Sequence, residues 1–176
     1  MSPYSIRWFQ LTLCGLIGCV ASIGLPVSAQ PDPTIKDIGV PNSYIGIGSA
    51  IGLSGNTTAL GSGGLVILSK LKFSDNLSLH DATIILGNSA ATTMIIVSAD
   101  FPILNDAGKT IISPFIGGGA MLRYDRGLSI SPAISGGIDV PISRNLTGTL
   151  RLNAGFPSNR SADVGILVGA GYSFGD

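Results

Sequence analysis

The sequence predicts an all-β protein, an eight-stranded antiparallel up-and-down transmembrane β-barrel. Three observations carry this prediction. Apolar residues alternate with small or polar ones after residue 43, charged residues make up only 11% of the chain, and short turn sequences recur between the alternating stretches. Alternation with a period of two is the signature of a β-strand, because its successive side chains point to opposite faces.

The alternation is clearest from residue 128 to 143, where most even positions are aliphatic and most odd ones are small or polar. Residues 146 to 156 and 164 to 174 repeat this pattern, and residues 110 to 124 follow the same rule. Four consecutive strands are therefore predicted in the second half of the chain.

The first strand is predicted in YIGIGSAIGLSG, residues 44 to 55. Gly46 and Gly48 would suit a dinucleotide-binding Gly-x-Gly-x-x-Gly loop, but Ile51 stands at the third glycine position and no helical pattern follows. These glycines are interpreted as the small face of a strand.

Three further strands, predicted near residues 58 to 73, 76 to 86 and 91 to 101, bring the count to eight. The alternation blurs between His80 and Ala99, which leaves room for a β-bulge.

Two pairs of similar sequences mark the predicted turns. FSDNLS at residues 73 to 78 resembles ISRNLT at residues 142 to 147, and each joins an apolar residue to a new strand through a polar triplet. ADFPI at residues 99 to 103 resembles IDVPI at residues 138 to 142, with proline at a strand end, where it costs no ladder hydrogen bond. These pairs of sequences predict tight hairpin turns at one end of the sheet.

Residues 1 to 29 have the features of a cleavable signal peptide. Arg7 precedes an apolar run from residue 8 to 25, and small residues, Val27 and Ala29, occupy the −3 and −1 positions of the predicted cleavage site. A transmembrane helix is the alternative, which Gln10 within the run disfavours.

Both cysteines, Cys14 and Cys19, lie within this segment, so the mature chain would have no disulfide. The LIGC sequence ending at Cys19 leaves lipidation open as an alternative to cleavage after Ala29. Residues 30 to 42 carry three prolines and are interpreted as a periplasmic linker, which leaves residues 43 to 176 for the barrel.

The composition excludes several classes of function. The chain has no glutamate and its single histidine is His80, so a zinc site is not expected, and no cofactor is predicted. Without Arg7 the acidic residues outnumber the basic ones by one, which argues against a nucleic-acid partner.

The face opposite the aliphatic residues of the predicted strands distinguishes a soluble barrel from a transmembrane one. A soluble barrel would show charged residues opposite its aliphatic face, whereas this face is mostly glycine, serine and threonine. Residues 43 to 176 allow about 17 residues per strand and turn, enough for a tilted membrane strand. The aromatic residues near strand ends are predicted to form an interfacial girdle: Tyr44, Phe73, Phe101, Tyr124, Phe156, Tyr172 and Phe174.

From residue 43 to 174 the chain resembles the small eight-stranded outer-membrane barrels of the OmpX, opacity-protein and OmpA membrane-domain type. The last strand, DVGILVGAGYSF, is similar to the C-terminal assembly signal of that family at Tyr172 and Phe174, although Gly175 and Asp176 follow here. The resemblance implies an outer-membrane location, periplasmic termini, and outer-membrane lipid, the barrel-assembly machinery and periplasmic chaperones as partners. We expect a monomer.

Five polar residues are predicted in the lumen. Pairing around the SRN turn places Asp139 opposite Thr149 and diagonal to Arg151, which predicts a salt bridge between Asp139 and Arg151. The second hairpin places Lys70 opposite His80. The predicted lumen set is Arg151, Asp139, Arg123, Lys70 and His80.

Three functions are compatible with these patterns. The first is a non-enzymatic outer-membrane barrel with a structural or envelope-maintenance role that is not an open porin, because eight strands enclose little more than their own side chains; the many inward glycines leave room for water or a slim solute. The second is a soluble lipocalin-like barrel that binds an apolar ligand. The third is a lipid-modifying hydrolase using Ser78 and His80, which is disfavoured because Asp81 would point to the opposite face.

Overall fold

The computed structural model describes residues 43–86, 91–125, 127–158 and 160–174. The predicted signal peptide and linker, Cys14, Cys19, Gly175 and Asp176 lie outside these residues. Within them, no helix is long and apolar enough to cross a membrane.

The described residues form eight long strands, one two-residue strand and one short helix. Each long strand pairs antiparallel with its neighbour, and pairing of the fourth strand with the sixth closes the sheet. The predicted closed eight-stranded barrel is therefore confirmed. The elements are β1 (Ser43–Ser54), α1 (Ala59–Ser62), β2 (Gly64–Ser74), β3 (Leu77–Leu86), β4 (Ala91–Asp100), β5 (Ile103–Leu104), β6 (Thr110–Asp125), β7 (Gly127–Ser143), β8 (Leu146–Gly155) and β9 (Asp163–Phe174).

The two tight turns lie within FSDNLS and ISRNLT, the first pair of similar sequences. The β2–β3 and β7–β8 connections are two-residue turns at Asp75-Asn76 and Arg144-Asn145. Because β1 begins and β9 ends beside them, we call this the terminal end of the barrel and the opposite end the loop end.

The structure corrects the predicted start of the second strand and locates the irregularity expected in the third and fourth strands. The strand predicted near residues 58 to 73 begins only at Gly64, because α1 precedes it. The irregularity expected between His80 and Ala99 falls in the β2–β3 pair, where the register passes over Ile85, whereas the β3–β4 register is unbroken.

The aliphatic face of every long strand points outward. Ile47 on β1, Ile116 on β6 and Ile130 on β7 are 73%, 65% and 64% exposed. The opposite face points into the lumen and, on β1 and on β6 to β9, carries mostly the small and polar residues predicted for it. This inversion of the usual apolar core leaves a large apolar exterior that water would not stabilise.

The lumen differs at its two ends. Toward the terminal end it holds charged and hydroxyl side chains, whereas toward the loop end apolar side chains predominate and a few polar ones, such as Asp163 and Thr92, hold the β1–β2 loop. The apolar half was not predicted, because β2, β3 and β4 are aliphatic on both faces, which is also why their alternation is blurred. Its buried side chains include Leu60 of α1 together with Val66, Ile84, Met94, Met121 and Leu167.

Candidate functional site in the barrel lumen

Lys70 lies at the centre of the polar half of the lumen. Its Nζ is 3.1 Å from Asp100 Oδ2 and 3.0 Å from Asp139 Oδ2, and all three side chains are at most 1% exposed. One ammonium thus joins β2 to β4 and to β7. Two carboxylates this close to one cation are stabilised by charge-assisted hydrogen bonds that a neutral residue could not supply.

Hydroxyl groups complete the coordination of the two carboxylates. Ser78 and Ser98 both donate to Asp100, the latter at 3.2 Å. The Tyr44 hydroxyl donates to Asp139 Oδ1 at 3.0 Å. Buried carboxylates are tolerated when their remaining lone pairs are satisfied in this way.

Arg151 reaches across the lumen from β8. Its Nη2 donates to the Tyr44 hydroxyl at 2.6 Å, its Nε donates to Thr149 Oγ1 at 3.2 Å, and its Nη1 donates to the Asp81 carbonyl at 3.4 Å. The Asp139–Thr149 and Lys70–His80 pairings predicted from the turns are confirmed.

The predicted salt bridge between Asp139 and Arg151 is wrong in its detail. The two side chains are joined through the Tyr44 hydroxyl, while Lys70 is the direct ionic partner of Asp139. Sequence pairing considered only neighbouring strands, whereas the long Lys70 and Arg151 side chains bridge strands that are not adjacent.

An aromatic stack lies beside this charged cluster. The rings of His80 and Phe115 are 4.1 Å apart at 19°, and Lys70 and Arg151 lie 6.0 and 5.8 Å from the Phe115 centroid. His80 Nε2 is 3.8 Å from Asp100 Oδ1, beyond hydrogen-bonding distance. The ring therefore serves mainly as a packed side chain that fills the lumen beside the ions.

The arrangement is not that of a nucleophile activated by histidine. Ser78 donates to Asp100 instead of to His80, and all three residues are buried. Asp81 lies on the outer face, as predicted, because it pairs with Ser69 and Ile95 on neighbouring strands. A catalytic triad needs the histidine between the hydroxyl and the carboxylate, with access for substrate.

Tyr44 does not belong to an outer aromatic girdle. It is fully buried in the lumen, and its hydroxyl links Arg151 to Asp139. Its even number, shared with the inward-facing Gly46 and Gly48, was the signal that could have placed it. The outward aromatic side chains near strand ends are Phe73, Phe101, Phe156, Tyr172 and Phe174, with Tyr124 partly exposed.

Arg123 points inward but lies away from the Lys70 cluster. It is near the loop end of β6, where its Nη2 is 2.6 Å from Asp125 Oδ2 and its side chain is 24% exposed. This pair belongs to the barrel rim and does not fill the lumen.

Asp100 is the principal site residue that sequence reasoning missed. Asp100 is the aspartate of ADFPI, and Asp139 is the aspartate of the similar sequence IDVPI. These two sequences therefore supply the two carboxylates that bind Lys70. Only the turns had been inferred from these sequences. Their shared aspartates, both in phase with the inner face, were the available signal.

The loop between β1 and β2 closes the loop end of the lumen. The Thr57 amide donates to Asp163 Oδ1 at 3.2 Å, and the Ala59 amide donates to Thr92 Oγ1 at 3.0 Å. Ala59 and Leu60 are each 1% exposed. The loop is therefore fixed to β9 on one side and to β4 on the other, with the Leu60 side chain packed into the apolar half.

Close backbone approach makes this insertion dependent on glycine. A Cβ atom added to Gly52 of β1 would lie 1.7 Å from the Gly61 carbonyl oxygen. Gly63, at the end of α1, has a φ of 79°, a conformation that other residues rarely adopt. The glycines are visible in the sequence, but their close approach to the backbone of the β1–β2 loop can be recognised only in the folded barrel.

The described residues contain no group of three or more histidine, cysteine, aspartate or glutamate side chains suited to a metal ion. The cluster is instead charge-balanced, with Lys70 and Arg151 facing Asp100 and Asp139. Its evident physical effect is to hold β1, β2, β4, β7 and β8 together through one hydrogen-bonded network.

Comparison with known proteins identifies the class of fold. No family model matches the chain, and no curated protein matches it. Among solved structures, the N-terminal β-barrel domain of Pseudomonas aeruginosa OprF has a TM-score of 0.52 at 12% identity, covering 77% of this chain and 99% of that one. A de novo designed transmembrane β-barrel has a TM-score of 0.51 at 14% identity, covering 77% and 97%.

The attachment invasion locus protein Ail of Yersinia pestis is also similar, with a TM-score of 0.48 at 18% identity, covering 76% of this chain and 99% of Ail. The closed sheet, with the likeness to the OprF domain and to the designed barrel, gives the chain the eight-stranded barrel fold of small outer-membrane proteins, and the architectural resemblance predicted from its sequence is confirmed. Identities this low show the fold alone.

Proposed function

We propose that the protein is an integral outer-membrane β-barrel with a structural, envelope-maintenance role, and that it is not an open porin. The single observation that carries the proposal is the combination of an apolar exterior with a filled lumen. A soluble lipocalin-like barrel would have the opposite arrangement, with its aliphatic face inward around a ligand cavity.

The exterior supports residence in a bilayer. Exposed aliphatic residues occur on all eight long strands, and a closed barrel leaves no unpaired strand edge in the hydrocarbon region. Phe73, Phe101 and Phe174 lie outward at the terminal end, where interfacial aromatic residues are expected. With export by the predicted signal peptide, these features favour the outer membrane.

The interior supports a closed barrel. From the terminal end, the Lys70 cluster and the His80–Phe115 stack fill the lumen, and beyond them the apolar side chains and α1 occupy the loop end. A barrel of eight strands has an interior just wide enough for such side chains. The same packing argues against a hydrolase, because it leaves Ser78 and His80 buried.

Solute passage tests the closed state. Purified protein reconstituted into liposomes should give no more swelling in small sugars than empty liposomes, and planar bilayers should show no long-lived open channels. Steady conductance from the folded protein would contradict the proposal. A variant in which the whole charged cluster and the aromatic ring are removed (Lys70→Ala, Asp100→Ala, Asp139→Ala, Arg151→Ala and Phe115→Ala) serves as the comparison with an emptied lumen, because it leaves no unpaired charge among these residues.

Envelope integrity tests the structural role. Deleting the gene in the native host should increase sensitivity to detergent and to large hydrophobic antibiotics, and the wild-type gene should restore resistance. His80→Ala should restore it equally well, because the proposal assigns no catalysis to His80. Changed membrane-lipid composition in the His80→Ala strain would instead support the hydrolase.

A further inference from the structure

The outer surface of the barrel carries one charged residue in an otherwise uncharged belt. Asp81 lies near the middle of β3 and pairs with Ser69 of β2 and Ile95 of β4, the latter exposed to the outside. In the described parts of the eight long strands, every other outward position is uncharged. An ionisable residue at this depth is unfavourable in lipid and calls for a partner.

Other polar groups surround Asp81 on the same face. Ser69 lies directly opposite it, Thr83 is the next outward residue along β3, and Thr93 lies opposite Thr83 with their hydroxyl oxygens 3.0 Å apart. Thr93 itself is only 3% exposed, so we call Ser69, Asp81 and Thr83 the β3 patch. Away from it, the middle of the outer face is almost entirely aliphatic, alanine, glycine or proline.

Among the described residues, the Asp81 carboxylate has no hydrogen bond or ion pair with another side chain, although Arg151 inside the barrel attracts it electrostatically and donates to the Asp81 carbonyl. Asp81 is half-buried on the outward face of β3, so its carboxylate is available as an acceptor at the outer surface. In contrast, the lumen carboxylates Asp100 and Asp139 are both paired with Lys70. Asp100 and Asp139 therefore stabilise the lumen, whereas Asp81 lies on the outward face.

We propose that the β3 patch is the contact surface of a homodimer in the membrane, an inference that rests on the proposed function. The patch is self-complementary, since it combines one carboxylate acceptor with the hydroxyl groups of Ser69 and Thr83. Thr83 remains able to donate because Thr93 can supply the hydrogen of the bond between the two threonines. A two-fold axis beside β3 places Asp81 of each copy against the hydroxyl groups of the other, as an isologous interface requires. Polar side chains that pair across an interface also stabilise helix association within membranes.

This proposal replaces the monomer expected from the sequence. It favours a second copy over a cationic partner protein because the hydroxyl groups beside Asp81 already provide donors of suitable reach. It favours a second copy over lipid because the patch lies along the middle of β3, away from the headgroups that could donate to a carboxylate.

Cross-linking in membranes tests the surface directly. Ile67→Cys and Ile95→Cys place thiols on the two sides of the β3 patch, and Leu150→Cys places one on β8, which is separated from β3 by β9, β1 and β2. A short bis-maleimide should join the first two variants into a species of twice the chain mass, at least fivefold more than Leu150→Cys. The full chain without an added cysteine gives the background.

Substitutions of Asp81 test whether its carboxylate contributes to the dimer contact. Adding Asp81→Leu to Ile95→Cys should reduce the dimer band at least fivefold, whereas Asp81→Asn, which keeps hydrogen-bonding atoms, should retain more of it. Light scattering in detergent should likewise give a dimer mass for the wild type and a monomer mass for Asp81→Leu.

The same gels, run with unboiled samples, report whether each variant is a folded barrel. Loss of heat-dependent migration in the wild type would contradict the proposed function itself. A folded wild type that cross-links equally at positions 95 and 150, cross-links to a different protein, or is monomeric in both arms would overturn the dimer while leaving the barrel intact.

Discussion

Replacing Lys70 by methionine is the sharpest test of the lumen network. The substitution keeps an unbranched side chain of similar length and removes the ammonium that binds Asp100 and Asp139 at 3.1 and 3.0 Å. Both carboxylates would remain buried, without their shared counter-ion. Removing one partner of a buried ion pair typically costs about 3 to 5 kcal/mol, because an uncompensated charge remains.

The remaining contacts place this variant near the lower end of that range. Asp100 keeps the hydroxyl groups of Ser78 and Ser98, and Asp139 keeps the Tyr44 hydroxyl. We therefore expect Lys70→Met to lower the free energy of unfolding by about 3 kcal/mol. The fraction of heat-modifiable barrel remaining on an unboiled gel after incubation in increasing urea measures this change.

A matched variant separates charge from packing. Combining Lys70→Met with Asp100→Asn removes one positive and one negative charge and leaves Arg151 balanced by Asp139 through the Tyr44 hydroxyl. This double variant should therefore recover part of the lost stability, since removing both partners of a buried ion pair costs less than removing one. A Lys70→Met barrel within about 1 kcal/mol of the wild type would contradict this prediction, as would a double variant less stable than the single one.

Further predictions concern three positions in the same unfolding assay. Tyr44→Phe should cost about 1.5 to 3 kcal/mol, because it removes the hydroxyl between Arg151 and Asp139, and an equal loss for the exposed Tyr172→Phe would contradict this. Leu60→Ala should cost about 2 to 5 kcal/mol because Leu60 fills the apolar half of the lumen, against a much smaller loss for the outward Leu152→Ala. Gly52→Ala should cost about 1 to 3 kcal/mol by displacing the Gly61 carbonyl, whereas Gly118→Ala, whose added Cβ would have no neighbour nearer than 3.8 Å, should be tolerated.

The fold was predictable because alternation acts locally and tolerates no slip. A shift of one residue would turn the aliphatic face of β7 or β9 into the lumen, so the alternation determines which residues share a face. The glycine, serine and threonine of the other face then indicate that the aliphatic face is the outer one. The turns around Asp75-Asn76 and Arg144-Asn145 then fixed the register of two hairpins. These two kinds of information suffice for strand number, pairing and orientation.

The centre of the site was harder to predict because it is built by long side chains that cross the lumen. Lys70 meets Asp100 two strands away, and Arg151 reaches Tyr44 across β9. Pairing rules describe only adjacent strands, so they could place the polar residues on the inner face without identifying their partners. The insertion of α1 was hidden for a similar reason, because Leu60 is buried only once the barrel surrounds it.

We propose that the aliphatic face meets lipid around a closed barrel with a filled lumen. Extracting the full chain from membranes with detergent and running it on an SDS gel with and without boiling tests this most directly. We expect the protein to sediment with membranes and the unboiled form to migrate faster than the boiled one. A soluble protein with identical migration in both lanes would contradict it.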